Sequence, residues 1–67
     1  MKPLYVKFHQ PVRVGTDYTT HVFGNTLDIT FESGILTIDG EKLKTKVIVF
    51  TSNIESMEVI KDAKDSG

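Results

Sequence analysis

The groups in this 67-residue chain that could carry chemistry are few: two histidines, nine carboxylates, eight basic side chains and no cysteine. Without Cys there is no thiolate zinc site, no cysteine nucleophile and no disulfide. A metal site would need His9 and His21 to converge with a carboxylate such as Asp17 or Asp28, and their spacing does nothing locally to bring that about. His9 falls on the outward phase of an amphipathic run and reads as a solvated strand histidine. Asp17-Tyr18-Thr19-Thr20-His21 holds an acid, hydroxyls and an imidazole, but a nucleophile and its base are defined by geometry, and the stretch reads as a loop. The carboxylates are scattered over polar strand phases and turns, where nothing confines them to a cleft. Glycines stand singly at 15, 24, 34, 40 and 67, which leaves neither a phosphate-cradling loop nor a dinucleotide fingerprint. The expectation is a non-enzymatic protein with no catalytic residue, no cofactor, no metal and no small-molecule substrate.

Two groups of residues could instead bind macromolecules. Lys42, Lys44 and Lys46 recur at every second position, which on an extended chain puts three ammonium groups on one side. With Lys7, Arg13 and the rings of Tyr5 and Tyr18 they would make a basic face with stacking groups for nucleic acid. Against this stand a formal charge of −1 and the ordinary use of lysine to keep sheet edges soluble. The second group is apolar. Tyr5, Phe23, Ile35, Ile48 and Phe50 are more hydrophobic surface than so small a domain can hide, and they form the candidate protein interface.

The elements that must position these residues are strands. Val, Ile and Thr supply 21 of the 67 positions and alanine only one, Ala63, so the chain is rich in residues that suit a pleated sheet and lose rotamer freedom in a helix. Leu4, Val6 and Phe8 alternate with Tyr5, Lys7 and His9, and Val12 and Val14 keep the phase beyond Pro11. A proline cannot donate to a ladder, so Pro3 to Val14 is expected at a sheet margin or bent at Pro11. Gly15 to Tyr18 reads as a loop, and His21-Val22-Phe23 as a weaker strand stopped at Gly24-Asn25. Leu27, Ile29 and Phe31 then lead through Ser33-Gly34 into Ile35 to Ile38, the pattern of a hairpin. A two-residue loop sets Phe31 opposite Leu36 and Ile29 opposite Ile38, keeping the apolar pairs on one face; a three-residue loop would break that match. Ile35 is left on the outer face. Val47 to Phe50 is an unbroken apolar run, expected of a strand covered on both sides, in a bent barrel or at a subunit contact.

The C-terminal stretch has two readings. Ser52 and Glu55 fit a capping box, so a short helix with Ile54, Met57 and Ile60 on one side would make the fold α+β. In the other, Thr51 to Ile54 makes one 3₁₀ turn and Ser56 to Ile60 returns as a strand with Met57 and Val59 facing one way. Val59 and Ile60 are poor helix formers, which favours the strand. The succession Leu27 to Phe31, Ile35 to Ile38, Val47 to Phe50, Ser52-Asn53-Ile54 and Ser56 to Ile60 resembles the SH3-like and Sm-like small barrels. That resemblance implies a binding module for proteins or nucleic acids and carries over no binding residues. The chain lacks the glycine and asparagine pattern of an RNA-binding Sm loop and the acidic-aromatic groove of a proline-binding SH3 domain. Brevity and the lack of cysteine also resemble small proteins encoded by phages and mobile elements.

The reading is therefore an all-β single domain over residues 1–60, a small antiparallel barrel or roll of about five strands with one short 3₁₀ turn, followed by a polar, flexible tail over 61–67. Its expected work is protein–protein contact, with a second copy or another protein as partner; a nucleic-acid-binding barrel using Lys42, Lys44 and Lys46 is the alternative. Met1-Lys2-Pro3 opens no apolar signal region and no run approaches the roughly 20 residues of a membrane span, so a cytoplasmic protein without a membrane partner is expected.

Overall fold

The alternation read along the chain becomes six strands and one 3₁₀ turn in the computed structural model, which describes residues 2–59. In order they are β1 (Pro3–Val14), β2 (Asp17–Phe23), β3 (Asp28–Glu32), β4 (Ile35–Asp39), β5 (Val47–Phe50), the 3₁₀ turn (Thr51–Asn53) and β6 (Ile54–Val59). They form two three-stranded antiparallel sheets, ordered β2-β1-β6 and β3-β4-β5. The protein is all-β, and the C-terminal helix of the α+β reading is replaced by β6 over residues 54–59. The expected tail at 61–67 lies outside the described residues.

One core joins the sheets. Val6, Phe8 and Val22 enter it from the first sheet, and Ile29, Leu36, Ile38 and Val49 from the second, each with 4% exposure or less. The β3–β4 hairpin has the two-residue loop and the register the sequence predicts, with Phe31 opposite Leu36 and Ile29 opposite Ile38. Ser33 and Gly34 both take positive φ, 53° and 79°, the twist that lets two strands reverse over two residues. Thr51 locks this turn from outside: its amide and its hydroxyl both donate to the Gly34 carbonyl, at 3.2 and 2.6 Å.

Four expectations are corrected in whole or in part. Of the two places expected for Pro3 to Val14, the sheet margin is excluded, since the segment is the central strand of its sheet, and the irregularity at Pro11 holds, since the register with β2 shifts between Lys7 and Val12. The strand tolerates Pro11 because pairing lapses there: the β6 ladder reaches only Phe8, and the β2 ladder skips from Lys7 to Val12. The side-chain amide of Asn53 fills part of that lapse, accepting from the Gln10 amide at 2.8 Å and donating to the Gln10 carbonyl at 3.2 Å. Second, the loop expected from Gly15 to Tyr18 shrinks to Gly15-Thr16. Val14 pairs with Asp17, and Gly15 at φ 70° makes the reversal. Third, the chain's own fold does not cover both faces of Val47 to Phe50 as a bent barrel would: Val47 and Val49 turn inward while Ile48 and Phe50 remain exposed, which leaves a subunit contact as the other expected cover. Fourth, the last strand begins at Ile54. Its ladder is irregular at both ends of the Tyr5 to Lys7 stretch of β1, so Met57 is half-buried whereas Val59 is exposed.

Candidate functional site

Cross-strand register decides which of the candidate side chains meet. Directly opposed residues in an antiparallel pair share a face, so the pairs Ile35/Phe50 and Thr37/Ile48 place Ile35, Ile48 and Phe50 together on the outer side of the β3-β4-β5 sheet. They are 39%, 52% and 63% exposed. Beside them on β3 stand Thr30, opposite Thr37, and Glu32, opposite Ile35, which give the apolar cluster a polar margin.

Tyr5 and Phe23 lie on the other sheet. They pair across β1 and β2, with His21 one row along opposite Lys7. The three rings touch as a cluster, with centroids 5.1 Å apart for Tyr5 and Phe23, 5.4 Å for His21 and Phe23, and 5.9 Å for Tyr5 and His21. Leu4, Asn25 and Glu58 complete a shallow depression of about 440 Å³ around Tyr5 and Phe23. The five residues expected to form one protein interface thus belong to two faces on separate sheets.

The basic candidates divide as well. Lys7 stands on the ring-bearing face, 3.5 Å from Glu55, and the same carboxylate lies 3.8 Å from His9 Nδ1. A bulge produces this grouping: Lys7 pairs with Ser56 and Phe8 with Ile54, so Glu55 is the extra residue, pushed out of the ladder toward both partners. Lys42, Lys44 and Lys46 do not form a row along a strand. Residues 40–46 are turns and bends, Leu43 donates its amide to the Gly40 carbonyl at 3.0 Å, and the Leu43 side chain tucks against the core while the lysines flanking it stay exposed. This loop meets the β1–β2 turn, where a Cβ on Gly15 would stand 3.3 Å from Leu43 Cδ2. Between the two loops lies a groove of about 470 Å³ lined by Arg13, Lys42 and Lys44; Lys46 is exposed just beyond it.

No family model, curated protein or solved structure matches the chain. The surfaces have to be weighed on their own chemistry. Among the described residues no polar or charged side chain is buried, and no three His, Cys, Asp or Glu groups come together to hold a metal. No helix among them is long and apolar enough to cross a membrane.

Two placements escape a reading of the sequence. Tyr18, a candidate stacking ring expected in a loop, is on β2 directly opposite Arg13 and is 70% exposed. The free edge of β5 is the other. Of the four edge strands among the described residues, β2, β3, β5 and β6, only β5 contains no charged residue. Its apolar composition is plain in the sequence, but whether a strand lies at an edge depends on sheet order, which local pattern does not carry.

Proposed function

We propose that this protein acts by protein–protein contact, and that a second copy of the chain docks on β5. The observation that carries the reading is a charge-free strand edge backed by three exposed apolar side chains, Ile35, Ile48 and Phe50. Edges are ordinarily guarded by charges, proline or bulges, and β5 has none of these. The position of the sheet elements around it, with a 3₁₀ turn leading to a strand that returns to β1, also supports the SH3-like and Sm-like resemblance and its implication of a binding module.

Main-chain alternation specifies the geometry. A two-residue turn makes Glu32 and Ile35 a hydrogen-bonded pair, so Leu36 and Ile38 are the β4 residues that bond to β5, through Val49 and Val47. Ile48 and Phe50 therefore turn their backbone groups to the open edge. In a two-fold pairing centred on Val49, Ile48 of one copy meets Phe50 of the other, and both sheets continue into one of six strands with a neutral seam. The polar margin supplied by Glu32 and Thr30 stays at the outside.

Sedimentation velocity and thermal melts over a protein concentration series test this. A dimer, with a melting temperature that rises with concentration, is expected. Ile48→Lys should give a monomer whose stability changes by less than about 0.5 kcal/mol, because the side chain is half-exposed in the single subunit. In a chain with no native cysteine, Ile48→Cys mixed with Phe50→Cys should cross-link between copies, and neither variant should cross-link alone. A monomer at all concentrations, with a concentration-independent melt, refutes the reading.

A further inference from the structure

We infer that the groove between the β1–β2 turn and the 40–46 loop is a binding site for single-stranded nucleic acid, with Arg13, Lys42 and Lys44 holding phosphates and Tyr18 stacking on a base. It is a different surface from β5, and it stands or falls independently of self-association.

Charge pairing is the first support. Among the described residues Lys2 is 3.5 Å from Asp28 and Lys7 is 3.5 Å from Glu55, whereas Arg13, Lys42, Lys44 and Lys46 form no ion pair. The unpaired cations are the ones gathered at this end of the molecule, from two chain segments some thirty positions apart in sequence, and three of them line one groove. Among the described residues no carboxylate lines it; the remaining walls are Gly15, Thr16, Thr45 and the apolar Leu43 and Val47. A formal charge of −1 for the chain does not describe this groove, whose lining holds three cations; the nearest acids in sequence, Asp17 and Glu41, are exposed in the same two chain segments but do not line it.

Geometry is the second. Arg13 and Tyr18 are direct cross-strand partners, so guanidinium and phenol rise from the same side of the β1–β2 hairpin. The Arg13 Nε donates to the Gly15 carbonyl at 3.3 Å, which anchors the guanidinium over the turn and leaves its terminal nitrogens for an anion. An exposed ring opposite Arg13, at the Arg13 end of the groove and outside its lining, suits a chain of alternating phosphates and unpaired bases, since stacking needs a base face that a duplex conceals. Solubility alone would be served by lysines anywhere on the loop and gives no reason for a 70% exposed tyrosine opposite the arginine.

Fluorescence polarisation with an end-labelled oligothymidylate of about twelve nucleotides tests the site. Three phosphate contacts on a single strand give a slope of about −2 in a plot of log affinity against log salt, so raising salt fourfold should weaken binding about 20-fold. Lys42→Glu with Lys44→Glu should lower affinity at least tenfold and flatten that slope. Tyr18→Ala should lower it about tenfold and leave the slope unchanged, the mark of a stacking contact. Lys7→Glu, half that change of charge at a residue outside the groove lining, should have little effect. Thermal melts confirm that each variant is folded, and if Arg13→Glu is not, the lysine and tyrosine arms decide alone. Absence of salt-sensitive binding overturns the inference, as does a loss of equal size in Lys7→Glu. It is likewise overturned if vesicles containing phosphatidylserine, or inorganic phosphate, bind with the same variant dependence while the oligonucleotide does not.

Discussion

Gly24→Ala is the substitution at which backbone placement alone sets the cost. Gly24 opens the turn after β2, and its amide donates to the Leu4 carbonyl at 2.7 Å, tying the end of β2 to the start of β1. A Cβ there would fall inside the van der Waals shell of the Pro3 carbonyl oxygen, with Pro3 C at 3.3 Å and Leu4 Cα at 3.4 Å on the same side. These are backbone atoms that no rotamer can move away, and Pro3 is itself buried and paired with Val59. Breaking the hydrogen bond costs about 0.5–1.5 kcal/mol and displacing packed backbone about 1–3 kcal/mol. The smaller entropy of an unfolded chain with alanine returns about 0.4–1 kcal/mol, leaving a net loss of roughly 1–4 kcal/mol. A domain of this size is stable by only about 3–10 kcal/mol, so the variant should lose a large share of its stability. Urea denaturation measures it: with a slope near 1 kcal/mol/M, the midpoint should fall by about 1–4 M. Gly40→Ala is the matched control. Its Cβ meets Leu27 Cδ2 at 3.0 Å, the end of a side chain that can turn aside, and the loss should stay under about 1 kcal/mol. Equal effects at the two glycines would refute the reasoning.

Three further outcomes are expected. Asn53→Ala removes both bonds to the Gln10 backbone, and because that backbone is exposed and can hydrate, it should cost only about 1 kcal/mol, read by denaturation, with faster hydrogen exchange at the Gln10 amide. Asn53→Asp keeps the acceptor and loses the donor, and should fall between. In the β3–β4 hairpin, Ile29→Ala and Leu36→Ala should each cost about 2–4 kcal/mol in the same assay, against well under 1 kcal/mol for the outward Thr30→Ala.

The sequence was most legible where one face is buried and one is wet. The β3–β4 hairpin met both conditions, since Ile29, Phe31, Leu36 and Ile38 alternate with polar residues around a turn whose residues accept positive φ. β2 was legible only at its end. Its pattern over Asp17 to His21 is almost wholly polar, because an edge strand takes its order from the ladder with β1 without needing burial of its own. The lysine spacing would make a one-sided row only on an extended chain, and period two is also what chance gives a short charged loop; Leu43, drawn inward between two lysines, was the signal that the segment curls. Sites were less legible than strands. Tyr5 and Ile35 are alike in pattern, and only the assignment of their strands to different sheets separates them. The partnership of Arg13 and Tyr18 likewise depends on a turn of two residues where four were expected.

The central place of β1 bears on the order in which the molecule can be built. The β3-β4-β5 sheet joins neighbours in sequence and closes over residues 28–50, so its pairing demands little loop-closure entropy. β1 reaches its second neighbour only when residues 54–59 return to it, and the Asn53 clamp spans 43 positions. A growing chain would carry β1 with one side unpaired through most of its synthesis, holding a main-chain vacancy that only β6 can fill. In such a chain the Pro11 lapse, where no ladder amide is on offer, shortens the stretch of β1 that waits uncovered to the few residues that β6 will occupy.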